Sequence, residues 1–151
     1  MRALAEHHHE QAAERCGADL AVVVPTFNER DNVAPLVTRL DRALAGVRWE
    51  ITFVDDDSPD GTAERVRAIA QADRRVRCVQ RIGRRGLSSA CVEGMLASSA
   101  PYLAVMDGDL QHDPALLRPM LDTLRGEQTD IVVGSRHVAG GGVGDFSAKR
   151  Q

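Results

Sequence analysis

Short β-branched runs alternate with stretches of helical periodicity along most of this chain, and that alternation leaves few folds open. The run LAVVV, Leu20 to Val24, has no polar break, which suits a strand covered on both faces. Val33, Leu36, Val37, Leu40 and Leu44 then recur at helical spacing and predict a helix over 31–45. Glu50 to Asp55 is the next strand, and Ala63, Val66, Ile69 and Ala70 mark a second helix. A shorter third strand covers Arg75 to Gln80, and Leu87, Ala90, Cys91 and Gly94 set a third helix through about Ser98. Tyr102 to Asp107 is a fourth strand. Pro114 opens a helix capped by Asp113 and carrying Leu116, Leu117, Met120, Leu121 and Leu124. Asp130 to Ser135 is predicted as a fifth strand. Strands alternating with helices imply an α/β fold: a Rossmann-like, mostly parallel sheet with helices on both faces.

The 151 residues fit one domain, and a chain of this size buries roughly 70% of its unfolded surface. No apolar stretch approaches the ~20 residues that span a bilayer. The net charge of −3 argues against nucleic acid as the main partner. Cys16, Cys78 and Cys91 are far apart and form no C-x-x-C, so they read as reduced thiols. Residues 1–18 read as a flexible leader, with His7, His8 and His9 in a solvated tail, and residues 19–151 as the folded domain.

Ligands of parallel sheets bind at the carboxyl ends of strands, so the loops after each strand matter most. They read PTFNE (Pro25–Glu29), DDDSPDGT (Asp55–Thr62), RIGRRG (Arg81–Gly86), DGDLQHDP (Asp107–Pro114) and GSR (Gly134–Arg136). Asp107 and Asp109 flank Gly108, where the backbone turns freely. With the amide oxygen of Gln111 they make a hard oxygen set that suits Mg²⁺ or Mn²⁺, and a cation would relieve the repulsion between them. The plain alternative is a helix-capping loop, and Asp113 fits that role. His112 offers a ligand nitrogen, although a polar loop histidine is more often none. Ser58 to Gly61 is strong turn chemistry, while one of Asp55 or Asp56 faces a ligand. Thr62 or Asp60 caps the helix that follows, and Asn28 or Asp31 the helix after the first strand. Arg136 sits beyond the last predicted strand, where a guanidinium can bind a diphosphate; the plain alternative is a solvated side chain, the usual state of a lone arginine. No P-loop, no G-x-S-x-G elbow and no zinc spacing occurs.

Taken together, VVVPTFNERDN, VDDDSPDGT, RIGRRGLSSA, MDGDLQHDP and VGSR resemble, in order and spacing, the inverting family 2 glycosyltransferases of the GT-A fold. Within them the pattern is similar to the polyprenyl-phosphate sugar transferases of the dolichyl-phosphate mannose synthase type. The resemblance runs from Leu20 to the end of the sequence. Members of the family continue beyond that point into a basic acceptor segment, so the acceptor portion is expected to be missing here. Phe146 stands where a tryptophan is usual, Ser88 where glycine is frequent and Gly108 where alanine is frequent, while Arg150 matches a basic position.

The resemblance implies that Pro25, Phe27, Glu29, Val54 and Asp56 line a nucleotide pocket. It implies that Asp107, Gly108 and Asp109 meet the ribose and diphosphate, that Asp107, Asp109 and Gln111 hold the metal, and that Arg136 contacts the diphosphate or the acceptor phosphate. Asp109 and Arg136 are then the residues expected to carry catalysis. The implied reaction moves a hexose, mannose from GDP-mannose, to a polyprenyl or dolichyl phosphate with inversion and metal dependence. The alternatives are a UDP-glucose donor with undecaprenyl phosphate as acceptor, and an inactive nucleotide-sugar-binding fragment. A hydroxyl acceptor would need a catalytic carboxylate after the last strand, where Asp145 is poorly placed. Reaching a lipid from the cytoplasmic face requires peripheral membrane contact, for which Arg81, Arg84 and Arg85 are the candidate cations.

Overall fold

A computed structural model describes residues 17–126 and 128–135. Most of the expected leader, with its histidines and Cys16, lies outside the described residues, as do Arg136, Asp145, Phe146 and Arg150. Four strands form one sheet: β1 (Leu20–Thr26), β2 (Trp49–Asp55), β3 (Val76–Gln80) and β4 (Tyr102–Val105). The helices are α1 (Arg30–Ala43), α2 (Thr62–Ala70), α3 (Leu87–Leu96) and α4 (Leu117–Arg125), the last entered through a 3₁₀ turn at Pro114–Leu116. Every ladder is parallel and the order is β3-β2-β1-β4. The chain therefore moves outward from β1 to β3, then crosses back to place β4 on the other side of β1. That reversal is a topological switch point, the position at which open parallel sheets bind their ligands.

The pleat sorts β1 between two cores. Leu20, Val22 and Val24 pair with Trp49, Ile51 and Phe53 of β2 and pack with Val33, Leu36 and Leu40 of α1, Val66 of α2, and Leu117 and Leu121 of α4. On the opposite face Val23, Val54 and Ala90 form a smaller core under α3. This double cover explains the unbroken apolar run, since a strand buried on both faces has no solvent side to mark with polar residues. Pro25 has no N–H to donate, and it lies two residues beyond the last β1–β4 pair, Val23↔Val105. The chain after β4 leaves the sheet there.

The predicted fifth strand is not formed in the described residues. Residues 131–135 carry no strand hydrogen bonding, and Ile131 and Val133 are 76% and 78% exposed. Val132 to Ser135 instead share with the β4 edge a cavity of about 740 Å³. Strand propensity records a preference for extended, half-buried backbone; pairing needs a neighbour as well.

Gly94 shows how closely α3 lies on the sheet. A methyl group there would sit 2.3 Å from Val23 Cγ1 and 2.9 Å from Val54 Cγ2. Gly94→Ala is expected to destabilise the fold by about 1–3 kcal/mol through overpacking, although alanine is the better helix former by roughly 1 kcal/mol. A lowered urea midpoint checks this.

Candidate functional site

The loop after β1 is held by side chains from the loop after β2. The N–H of Asn28 donates to Ser58 Oγ at 2.9 Å, that of Glu29 to Thr62 Oγ1 at 3.0 Å, and that of Arg30 to Asp60 Oδ2 at 3.2 Å. The first helix is thus capped from across the sheet, not by Asn28 or Asp31 as its own sequence suggested. Asn28 instead takes φ = 61° to make the turn, a conformation asparagine tolerates. Asp60 Oδ1 also accepts from the N–H and the hydroxyl of Thr62, at 3.0 and 2.6 Å, so Asp60 serves the start of α2 as well. Burial alone would raise the Asp60 pKa, but the hydrogen bonds from Thr62 and from the Arg30 N–H hold it below the usual carboxylate value.

Asp55 and Asp56 part company. Asp55 is sealed in the interior, accepting from Ser58 N at 2.9 Å, Ser58 Oγ at 2.5 Å and Thr26 Oγ1 at 3.3 Å. Asp56 is also buried, and its carboxylate faces the third loop. Its Oδ2 accepts the Gly86 N–H at 2.8 Å, and Arg81 Nη1 lies 3.2 Å from its Oδ1. Arg81 is buried, and it also donates to Gly86 O at 3.0 Å and Ser89 Oγ at 2.7 Å. It therefore clasps the third loop onto Asp56 and does not face a membrane, which corrects the expectation placed on it. The Asp56 carboxylate thereby occupies the start of α3, at the Gly86 N–H. Arg84 is paired with Glu93 at 2.8 and 3.1 Å, and the Arg85 guanidinium lies 4.3 Å from the ring centroid of Phe27, which is 43% exposed.

At the switch point the first and fourth loops touch. A Cβ built on the buried Gly108 would lie 3.3 Å from Thr26 Cγ2 and 3.5 Å from Glu29 Cγ, so the Asp107–Asp109 turn sits directly beside Glu29. Asp109 Oδ1 accepts the Gln111 N–H at 3.0 Å, and Asp113 Oδ1 accepts the Ala115 N–H at 3.0 Å, the cap expected of it. Leu110 turns the loop with φ = 64°. The Asp107 side chain is 54% exposed, with His112 Nε2 3.5 Å from its Oδ2. Burial raises the Cys91 thiol pKa on α3, and the Asp107 charge adds to that rise.

Pro25, Phe27, Glu29, Asp56, Asp107, Gly108 and Asp109 thus gather along the carboxyl edge of β1, β2 and β4. Gln111 lines the cavities on either side of the fourth loop. Val54 lies beneath this edge, its side chain wholly buried in the core under α3. Arg136 lies outside the described residues. Among the described residues neither Asp107 nor Asp109 is neutralised by an arginine, and no group of three His, Cys, Asp or Glu side chains forms a closed metal cage. Two exposed carboxylates with an amide nearby fit a hard divalent cation that completes its shell with water or phosphate oxygens. Sequence reasoning missed two features, the Arg81 clasp and the His112–Asp107 contact. Both join residues whose relation appears only after the loops fold.

A family model described as glycosyl transferase family 2 matches residues 21–151. The chain belongs to glycosyl transferase family 2. Among curated relatives it is 39% identical over 132 residues to a dolichol-phosphate mannosyltransferase of Pyrococcus furiosus, covering 87% of this chain and 37% of that protein. It is 36% identical over 128 residues to the dolichol-phosphate mannosyltransferase of Saccharomyces cerevisiae, covering 83% and 47%. The chain spans less than half the length of these relatives. Its fold is shared with the mannosyltransferase PcManGT from Pyrobaculum calidifontis, solved in complex with GDP-Man and Mn²⁺, at a TM-score of 0.54 and 20% identity, covering 70% of this chain and 34% of that one. This family 2 domain thus has the GT-A architecture.

Asp60→Ala removes acceptors from the starts of two helices and is expected to cost about 0.5–2 kcal/mol at neutral pH. Because the folded-state pKa is depressed, the carboxylate stabilises above the unfolded value near 4. That contribution fades as pH falls through the folded value. Urea unfolding of both proteins between pH 7 and pH 2 should show the difference shrinking at the acid end.

Proposed function

We propose that this family 2 domain transfers a hexose, mannose from GDP-mannose, to a polyprenyl or dolichyl phosphate with inversion. The observation that carries the reading is the pair of exposed carboxylates, Asp107 and Asp109, with no arginine partner among the described residues, at the switch point of a family 2 sheet. The names of the curated relatives and the GDP-Man and Mn²⁺ of the structural neighbour support it.

On this reading Pro25, Phe27, Glu29 and Asp56 border the nucleotide, with Val54 supporting them from below. Asp107, Gly108 and Asp109 meet the ribose and diphosphate. Asp107, Asp109 and Gln111 would hold Mg²⁺ or Mn²⁺, which when bound neutralises charge on the diphosphate. Arg136 contributes a guanidinium to the diphosphate or the acceptor phosphate. The acceptor oxygen is already anionic at neutral pH, so it attacks without a general base. Its bond to the anomeric carbon forms on the face opposite the breaking bond, and that electron pair leaves with the nucleoside diphosphate. The residues of this chain work by positioning and by placing charge.

No helix among the described residues is long and apolar enough to cross a membrane. Contact with the lipid acceptor is proposed to be peripheral, at a cytoplasmic membrane face, with Arg84 and Arg85 as the remaining exposed cations of the third loop.

The test is a thermal-shift titration with GDP, UDP, GDP-mannose and UDP-glucose, each with and without Mn²⁺. A ligand at ~100 times its dissociation constant adds roughly 2.7 kcal/mol to stability. A Mn²⁺-dependent rise with the guanine nucleotides is expected, and Asp109→Asn should abolish it, together with any sugar transfer, while keeping a cooperative melt. A rise with uridine nucleotides alone would assign the UDP-sugar donor instead. Nucleotide binding without transfer would mark a binding fragment, and no shift in any mixture would sink the donor site.

A further inference from the structure

We propose that His112 is a positioning residue that presents the Asp107 carboxylate; this rests on the metal–nucleotide reading of the site. The Asp107 main-chain N–H donates to His112 Nδ1 at 3.2 Å. An accepting Nδ1 carries no proton, so the proton of the neutral ring is on Nε2. That nitrogen lies 3.5 Å from Asp107 Oδ2. The imidazole is therefore hydrogen-bonded to the Asp107 backbone, with its other nitrogen close to the carboxylate of the same residue. With its side chain 39% exposed, the ring is no core element and gains little from packing.

The rest of the loop is anchored by other means. Arg39 Nη1 donates to the Leu110 carbonyl at 3.1 Å, and the Leu110 side chain packs against the main core. Asp109 closes a turn onto the Gln111 N–H, and Asp113 caps the 3₁₀ turn. Met106 is tied to β1 through its N–H, 3.1 Å from the Val23 carbonyl. Asp107 stands between these anchors, and His112 is the side chain that reaches back to it. The backbone bond occupies Nδ1 and the proton occupies Nε2, so neither nitrogen offers a lone pair to a cation. The histidine acts on the site through Asp107. Residues that orient a metal ligand in this way typically change metal affinity by 10–100-fold when removed.

The experiment measures binding of Mn²⁺, as MnCl₂ with GDP, by electron paramagnetic resonance on the 151-residue chain and its His112→Ala and His112→Asn variants. His112→Ala should weaken Mn²⁺ binding by about tenfold or more with little change in melting temperature. His112→Asn keeps an acceptor for the Asp107 N–H and should recover part of the affinity. Electron spin echo modulation of the bound Mn²⁺ should show no imidazole nitrogen coupling. Wild-type affinity in both variants would overturn the positioning role alone. So would a lower melting temperature with unaltered affinity, or a nitrogen coupling lost in His112→Ala, which would make His112 a ligand. A wild-type chain that takes up no Mn²⁺ with GDP would overturn the site reading, and this inference with it.

Discussion

β1 is hydrogen-bonded on both sides, and the place where its two ladders end decides where the chemistry can be. The ladder with β2 runs to Thr26↔Asp55, whereas the ladder with β4 stops at Val23↔Val105. Pro25 falls in the gap between those ends. Past it the chain after β4 leaves the sheet, and its Asp107–Asp109 turn packs beside Thr26 and Glu29 of the first loop. The buried β1 core on both faces holds that edge rigid, which a site built from loops requires.

The acidic residues of this edge divide by what they touch. Asp55 and Asp60 are spent on backbone N–H groups and hydroxyls, and so hold the first two loops together. Asp56 faces a buried arginine and closes the third loop. Asp107 and Asp109 keep exposed carboxylate oxygens and no arginine partner among the described residues. An acidic cluster in sequence is therefore three separate devices in space, and only the last is suited to an external cation. The arginine-rich loop divides in the same way: Arg81 is structural, Arg84 is paired with Glu93, and Arg85 rests over Phe27.

Much of this was legible in order along the chain. The four strands, the four helices and the Asp113 cap follow from apolar spacing and turn chemistry, because those signals act over a few residues. The motif loops likewise point to one edge as soon as a parallel sheet is accepted. The fifth strand illustrates the limit. Asp130 to Ser135 has the composition of a strand, yet no partner strand is hydrogen-bonded to it in the described residues. The start of α1 illustrates it again: its capping groups lie some thirty residues away, and no local reading of Asn28 or Asp31 could find them.

The sequence by itself determined the α/β class, the identity of the polar loops and the hard-oxygen character of the Asp107–Asp109 turn. These depend on side-chain type and short spacing, which need no knowledge of distant contacts. Tertiary structure alone decided which carboxylates remain free, that Arg81 is buried, that Val54 lies under the site, and that His112 reaches back to Asp107. Each of those outcomes depends on which loops the switch point brings side by side, and sheet order is a property of the folded chain that no local window contains.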